Sequence, residues 1–241
     1  MANYMDILPD PNTRILDSGL AGVNTAGSET GSTGPGFASI KFSSKQPTIV
    51  DRTRGGRVIT RSVAGQNWDI AISYNPLTRA EFDPINSFLM AMQGSLKPFF
   101  VYLPQYSAFN AANTSNAVLA ADGSAVSAGK TYMKITYGGA GTPQPGDIFN
   151  IIDTNNSNHL KTYMVTRYET SASHDSDVGE LTSGVKRLSF NPPLQYEVSN
   201  GAELEFTNPK VRVINTGRSQ EYSLNTNNLY KFSLKLEEAL P

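Results

Sequence analysis

The chain contains no cysteine and only two histidines, His159 and His174. The absence of cysteine excludes a disulfide-stapled scaffold, a cysteine-ligated zinc or iron–sulfur centre and a cysteine nucleophile. Two histidines leave little material for a histidine-based metal site or for a histidine acid–base relay. These absences remove several large classes of enzyme and metalloprotein before any motif is considered.

An excess of charge of one sign is also lacking, and so are long apolar runs. The 20 Lys and Arg residues nearly balance 21 Asp and Glu residues, which argues against a protein that coats nucleic acid. No apolar run approaches the roughly 20 residues that a membrane-spanning helix needs. The first residues lack the basic-then-apolar order of a signal peptide. We therefore expect synthesis in a cytoplasm and no membrane insertion.

What is present favours a mainly β fold. Charged residues make up only 17% of the chain, and 20 Gly and 14 Pro provide many turns, as is typical of β-rich proteins. Residues 67–74 alternate between apolar and polar positions, which predicts a half-buried antiparallel strand. Residues 230–236 alternate in the same way and need a sheet to join. We expect this late strand to join the sheet that contains residues 67–74.

One helix is predicted after this first strand. Thr78 and Glu81 have the spacing of a capping box, and Gly94 is placed to end the helix. Pro84 is expected to kink the first turns or to mark a second start. The apolar side chains between these signals form one stripe at helical spacing: Phe82, Ile85, Phe88, Leu89 and Met92.

The order of these segments predicts a domain interrupted by another. Residues 1–36 contain little apolar surface to offset the entropy of ordering, so we expect a flexible N-terminal arm. Residues 37–103 plus 209–241 form one β domain in this interpretation, and residues 113–208 form a β domain inserted into it. The small and polar residues of 104–129 indicate a linker.

No pattern in the sequence supports a catalytic residue, a cofactor site or a metal site. Residues Asp153–His159 place oxygen ligands at alternate positions, like the start of a calcium loop. Asn158 and Met164, however, stand where such a loop needs Gly and Glu. Glu203 and Glu205 share one face of a predicted strand, but that face is expected to point to solvent. We therefore predict that the protein is not an enzyme.

A basic run is the candidate interface. It contains only Asp51 as an acidic residue, and we interpret it as a protein–protein contact. Two alternatives remain open, namely an edge strand whose charges discourage pairing and a contact with nucleic acid. The suspected interface residues are Lys41, Lys45, Arg52, Arg54, Arg57 and Arg61.

Several segments together resemble a known family. A Trp-led strand, a capped helix with a Gly stop and a Phe-containing strand follow one another, and a second β block comes later. In this order they resemble the distal tail proteins of tailed bacteriophages, which also occur as hub ring proteins of baseplates. The resemblance covers roughly residues 37–240 and rests on residues 68–74, 77–81, 88–94 and 98–100, with 145–149, 163–166, 191–194 and 201–204.

The resemblance implies a fold and a function. The expected fold is a tail-tube-like β-sandwich or barrel hub domain with one flanking helix, interrupted by an inserted small β-barrel or sandwich. Six copies are expected to form a ring that joins the tail tube to the hub and organises distal tail assembly. Expected partners are the tail tube protein, the tail hub and other baseplate proteins, with genomic DNA only passing through the lumen. The protein would be part of the virion, assembled in the host cytoplasm, and would need no cofactor.

A different class of function is the alternative. The predicted inserted domain carries several tyrosines, and exposed aromatic rings can stack on sugars. A carbohydrate-binding module that contacts host surface glycans would use them. The tyrosines in question are Tyr132, Tyr137, Tyr163, Tyr168 and Tyr196.

Overall fold

A computed structural model provides the three-dimensional structure of the chain. It describes residues 7–10, 13–15, 21–23, 32–33, 35–62, 65–103, 106, 118–120, 123–138, 141–171, 181, 184–206, 209–217, 222–225 and 227–240.

The chain divides into two compact units. The first comprises Met1–Val101 with Arg212–Ala239, and the second comprises Tyr102–Val211 with Leu240–Pro241. The domain boundaries predicted from the sequence remain a proposal. The predicted fold class, mainly β with one helix in the described part of the chain, is confirmed.

Strands of the first unit form one main sheet and three small ones. The main sheet has five strands in the order β4-β7-β18-β15-β8. The smaller sheets contain β1–β3, the pair β5 and β6, and the pair β16 and β17. Their bounds are β1 Thr13–Ile15, β2 Ala21–Val23, β3 Ser32–Thr33, β4 Phe37–Lys45, β5 Thr48–Arg52, β6 Val58–Ser62, β7 Asn67–Tyr74, β8 Phe99–Tyr102, β15 Lys210–Asn215, β16 Ser223–Leu224, β17 Tyr230–Lys231 and β18 Ser233–Glu238.

The pairing of the late strand with the early one is confirmed. β18 runs antiparallel to β7, with Leu234 opposite Ile72 and Leu236 opposite Ile70. Cross-strand neighbours share a face of the sheet, and all four side chains are buried. The matching apolar patterns of two segments far apart in the sequence thus close the core of this unit.

The predicted helix, α1, spans Arg79–Met92 and begins after Thr78. The Thr78 N–H and the Thr78 hydroxyl both donate to Glu81 Oε2, each over 2.8 Å. Pro84 lies inside the helix without ending it. Two left-handed residues follow the helix, Gln93 with φ 55° and the predicted Gly94 with φ 69°. The five stripe residues are all buried, and Phe88 makes an edge-to-face contact with Phe99 of β8.

The segment predicted as a flexible arm contains ordered parts. Three short strands, β1–β3, form a small sheet. The Leu8 N–H donates to the Phe100 carbonyl over 2.9 Å, and Leu8 is fully buried. This contact covers the β8 edge of the main sheet. Much of the remainder of residues 1–36 lies outside the described residues.

The second unit is a closed six-stranded barrel in the order β10-β13-β12-β11-β14-β9. Its core contains aromatic rings with centroids about 5–6 Å apart, among them Phe149, Tyr163 and Phe190. β9 lies within the segment predicted as a linker. The sequence analysis did not predict this strand, because three residues are too short to show an alternating pattern. The strand bounds are β9 Val118–Ala120, β10 Tyr132–Thr136, β11 Ile148–Ile152, β12 Tyr163–Glu169, β13 Lys186–Asn191 and β14 Glu203–Glu205.

Candidate assembly interface

A two-stranded ribbon extends the pairing of β4 and β7. β4 leads into β5, β6 leads back towards β7, and β5 pairs only with β6 among the described residues. Every side chain from Thr48 to Arg61 is exposed. We call residues 48–62 the arm, a segment distinct from the predicted N-terminal arm of residues 1–36. An isolated two-stranded hairpin is at best marginally stable in water, so this segment gains most from a surface that covers it.

The tip of the arm is held by its own hydrogen bonds. The Thr53 N–H donates to the Arg57 carbonyl over 2.9 Å, and the Arg57 N–H donates to the Thr53 hydroxyl over 3.1 Å. Gly56 has φ 79°, a left-handed conformation that glycine adopts without steric cost. The tip therefore has a defined shape, and it presents Arg54 and Arg57 at the end of the ribbon.

Apolar side chains are exposed on both faces of the arm. Ile49 is opposite Arg61 and Ile59 is opposite Asp51, whereas Val50 is opposite Thr60 and Val58 is opposite Arg52. Directly opposite residues share a face, so one face carries both isoleucines and the other carries both valines. The exposed fractions are 57% for Ile49, 60% for Val50, 48% for Val58 and 51% for Ile59.

The structure divides the predicted basic run into two surfaces. Arg52, Arg54, Arg57 and Arg61 belong to the arm, and none of them forms an ion pair with a described residue. Lys41 and Lys45 belong instead to β4, where they line a groove of about 410 Å³ on the main sheet.

Lys41 and Lys45 share this groove with a third lysine, Lys235, and with two acidic residues. Asp69 and Glu237 also line it, and the Lys45 ammonium lies 3.5 Å from a Glu237 carboxylate oxygen. The groove is therefore of mixed charge, whereas the arm is strongly basic.

The sequence predicted a strand after the Gly55-Gly56 turn and named the arginines of the arm as interface residues, but it did not name the apolar residues of the arm as part of that interface. The strand β5 follows β4 after only Gln46 and Pro47, so the two strands could not be separated by pattern alone. The available signal was the Gly55-Gly56 turn between two short β-branched runs, which is typical of a hairpin tip.

Comparison with known proteins bears directly on this region. Residues 28–106 match the family model described as distal tail protein pb9, A domain, N-terminal. The chain is also 28% identical to the distal tail protein pb9 of Escherichia phage T5 over 241 residues, which is 97% of this chain and 99% of that protein. The resemblance to bacteriophage distal tail proteins is confirmed.

The segment matched to the distal tail protein family contains the arm, β7 and α1. The predicted place in the virion agrees with this family. In the described part of the chain, no helix combines the length and the apolar content required to cross a membrane.

The tyrosines of the carbohydrate alternative do not form an exposed platform. Tyr163 and Tyr137 are buried, Tyr168 packs against the barrel core, and Tyr132 and Tyr196 are half-buried. Stacking on a sugar needs an accessible ring face, so this structure offers the alternative no support.

The calcium-like motif is used for backbone hydrogen bonds. Asp153 Oδ1 accepts from the Asn155 N–H over 2.9 Å, and Asp153 Oδ2 accepts from the Ser199 N–H over 2.8 Å. Burial raises the pKa of Asp153, but these hydrogen bonds outweigh it and the pKa is lowered overall. His159 Nε2–H donates to the Glu197 carbonyl over 3.0 Å. The motif thus fixes two loops of the barrel unit to each other.

Proposed function

We propose that the chain is a structural component of a bacteriophage tail tip that assembles into a ring of identical copies. The ring is hexameric in this proposal, joins the tail tube to the hub and organises distal tail assembly. It leaves a lumen through which genomic DNA passes. The function is non-enzymatic and needs no cofactor. The similarity to distal tail proteins supports the coarse assignment.

The exposed arm is the observation that carries the ring proposal. Four β-branched apolar side chains, each about half exposed, lie on a ribbon that has no partner among the described residues. Removing apolar side chains of this kind from water lowers the free energy of the assembled state. A ribbon that receives cover from a neighbouring chain gains both that burial and a fixed position.

Charge favours a second copy as the neighbour. Four arginines and Asp51 give the arm a net charge of +3, and the whole chain carries −1, so the remainder carries −4. The arm of one copy is therefore attracted to the body of another. A contact between an arm and a different surface is head-to-tail, and a head-to-tail contact closes into a ring when its rotation permits.

The mass of the purified full-length chain in solution, measured with negative-stain images of the same sample, tests the ring. We expect annular particles with a central hole and a mass of about six subunits. A chain that stays monomeric at all concentrations and also fails to bind tail tube protein would refute the proposal.

A double charge-reversal variant tests whether the contact between copies uses the arm. Arg54→Glu with Arg57→Glu changes only the exposed tip, and we expect it to shift the chain from assembled to monomeric. Lys97→Glu with Lys130→Glu makes the same change in net charge at exposed positions outside the arm, so it is the matched control. Because exposed charges are screened by salt, the assembled fraction should also fall as ionic strength rises.

A further inference from the structure

Each face of the arm has the composition of an interface. One face carries Ile49 and Ile59 with Asp51 and Arg61, and the other carries Val50 and Val58 with Arg52 and Thr60. The two apolar residues of each face lie diagonally across the strands, about 7–8 Å apart, which lets a single partner surface cover both. Neither face is the polar, solvent-facing side that an arm lying flat on one neighbour would have.

A ribbon covered on one side only normally alternates between apolar and polar residues. Antiparallel strands with one face in water show that alternation, and β7 of this chain shows it as well. β5 and β6 do not, because the adjacent residues Ile49 and Val50, and likewise Val58 and Ile59, are all apolar and exposed. Each of the two strands therefore places one exposed apolar side chain on each face of the arm.

We propose that the arm is clamped on both faces by copies of the same chain, so that Ile49 and Val50 are both removed from water in the assembled state. The proposal rests on the proposed ring and goes beyond it, since a ring needs only one covered face. The partner surface for each face combines an apolar patch with a carboxylate that receives an arginine. A body with a net charge of −4 supplies the carboxylates.

The absence of cysteine from the chain makes a direct test possible. The variants Ile49→Cys and Val50→Cys each introduce a single thiol, and the two thiols stand on opposite faces of the same strand. Leu96→Cys is the control, because Leu96 is 70% exposed and lies outside the arm. A thiol reacts with a soluble maleimide only when it is accessible. Each full-length variant is labelled below and above the concentration at which it assembles, and its mass is recorded in the same samples.

We expect both arm thiols to react in the monomer and to lose labelling on assembly, while Leu96→Cys reacts equally in both states. A folded variant that cannot assemble because of the substitution at one face also supports burial of that face. Assembly with loss of labelling at only one arm position overturns the two-sided clamp and leaves the ring proposal intact. Absence of assembly by the unmodified chain, both alone and with tail tube protein present, overturns both proposals.

Discussion

A buried ion pair in the barrel unit gives the sharpest stability prediction. Arg187 of β13 lies directly opposite Glu169 of β12, and Arg187 Nη1 is 3.3 Å from Glu169 Oε2. Both side chains are 2% exposed. The other carboxylate oxygen, Oε1, is 3.0 Å from Arg167 Nη2, but the Arg167 side chain is 52% exposed. One carboxylate therefore has a buried arginine and an exposed one.

Replacing the two arginines should have very different effects. Arg187→Met keeps an unbranched side chain but leaves the Glu169 carboxylate buried without its buried arginine, and breaking a buried pair costs about 3–5 kcal/mol. Arg167→Met removes a pair that water and salt already screen, which costs about 1 kcal/mol or less. Since about 1.4 kcal/mol corresponds to a factor of ten, Arg187→Met should lower the folding equilibrium constant on the order of a hundredfold to several thousandfold.

Denaturant unfolding of the full-length chain followed by far-UV circular dichroism measures this difference. The double variant Arg187→Met with Glu169→Leu removes both buried charges, so it should recover most of the stability lost by Arg187→Met. Equal losses for Arg187→Met and Arg167→Met would refute the reasoning, since the Arg187 side chain is 2% exposed and the Arg167 side chain is 52% exposed. A double variant less stable than Arg187→Met would refute it as well.

Three further changes test other parts of the structure. Thr78→Ala should destabilise the first unit by about 1 kcal/mol, seen in the fluorescence of Trp68. Hydrogen bonds from Thr78 lower the pKa of Glu81 from its ordinary value of 4.5. The contribution of ionised Glu81 to the free energy of unfolding is therefore fully present above about pH 4.5 and is lost as the pH falls through the lowered pKa. Thr78→Ala should weaken this pH dependence. Asn150→Ala should cost about 1–3 kcal/mol in denaturant unfolding, because the Lys210 N–H loses its 2.7 Å bond to Asn150 Oδ1; an unchanged midpoint would show that water replaces this bond. Ile72→Ala should cost about 2–5 kcal/mol by the same Trp68 signal, and a smaller loss would mean that the core between β7 and β18 collapses around the cavity.

The helix and the strands that flank it were predictable because their signals are local. Thr78 and Glu81 are three residues apart, and the apolar stripe of α1 repeats at helical spacing, so both follow from the chain order alone. The pairing of β18 with β7 was predictable for another reason. Two amphipathic strands each needed a partner, and few other segments offered a matching face.

The arm was only half predictable. Its arginines are visible as a basic run, but Ile49, Val50, Val58 and Ile59 are ordinary strand residues in the sequence. Only the structure shows that they have no core beneath them. The same holds for Lys41 and Lys45, which adjoin the arm in sequence but lie on the main sheet, in a groove that Lys235, Asp69 and Glu237 also line.

The fold class, the capped helix, the pairing of β18 with β7 and the resemblance to distal tail proteins could all be inferred from the order of residues along the chain. Each of these depends on periodicity or on short-range spacing, which a linear chain displays directly. The three-dimensional structure was needed to learn which apolar residues are covered and which stay exposed. It was also needed to learn that the Arg187 side chain is buried against Glu169 and that the Arg167 side chain is not. Burial is a property of the space around a side chain, and that space is filled by residues distant in sequence.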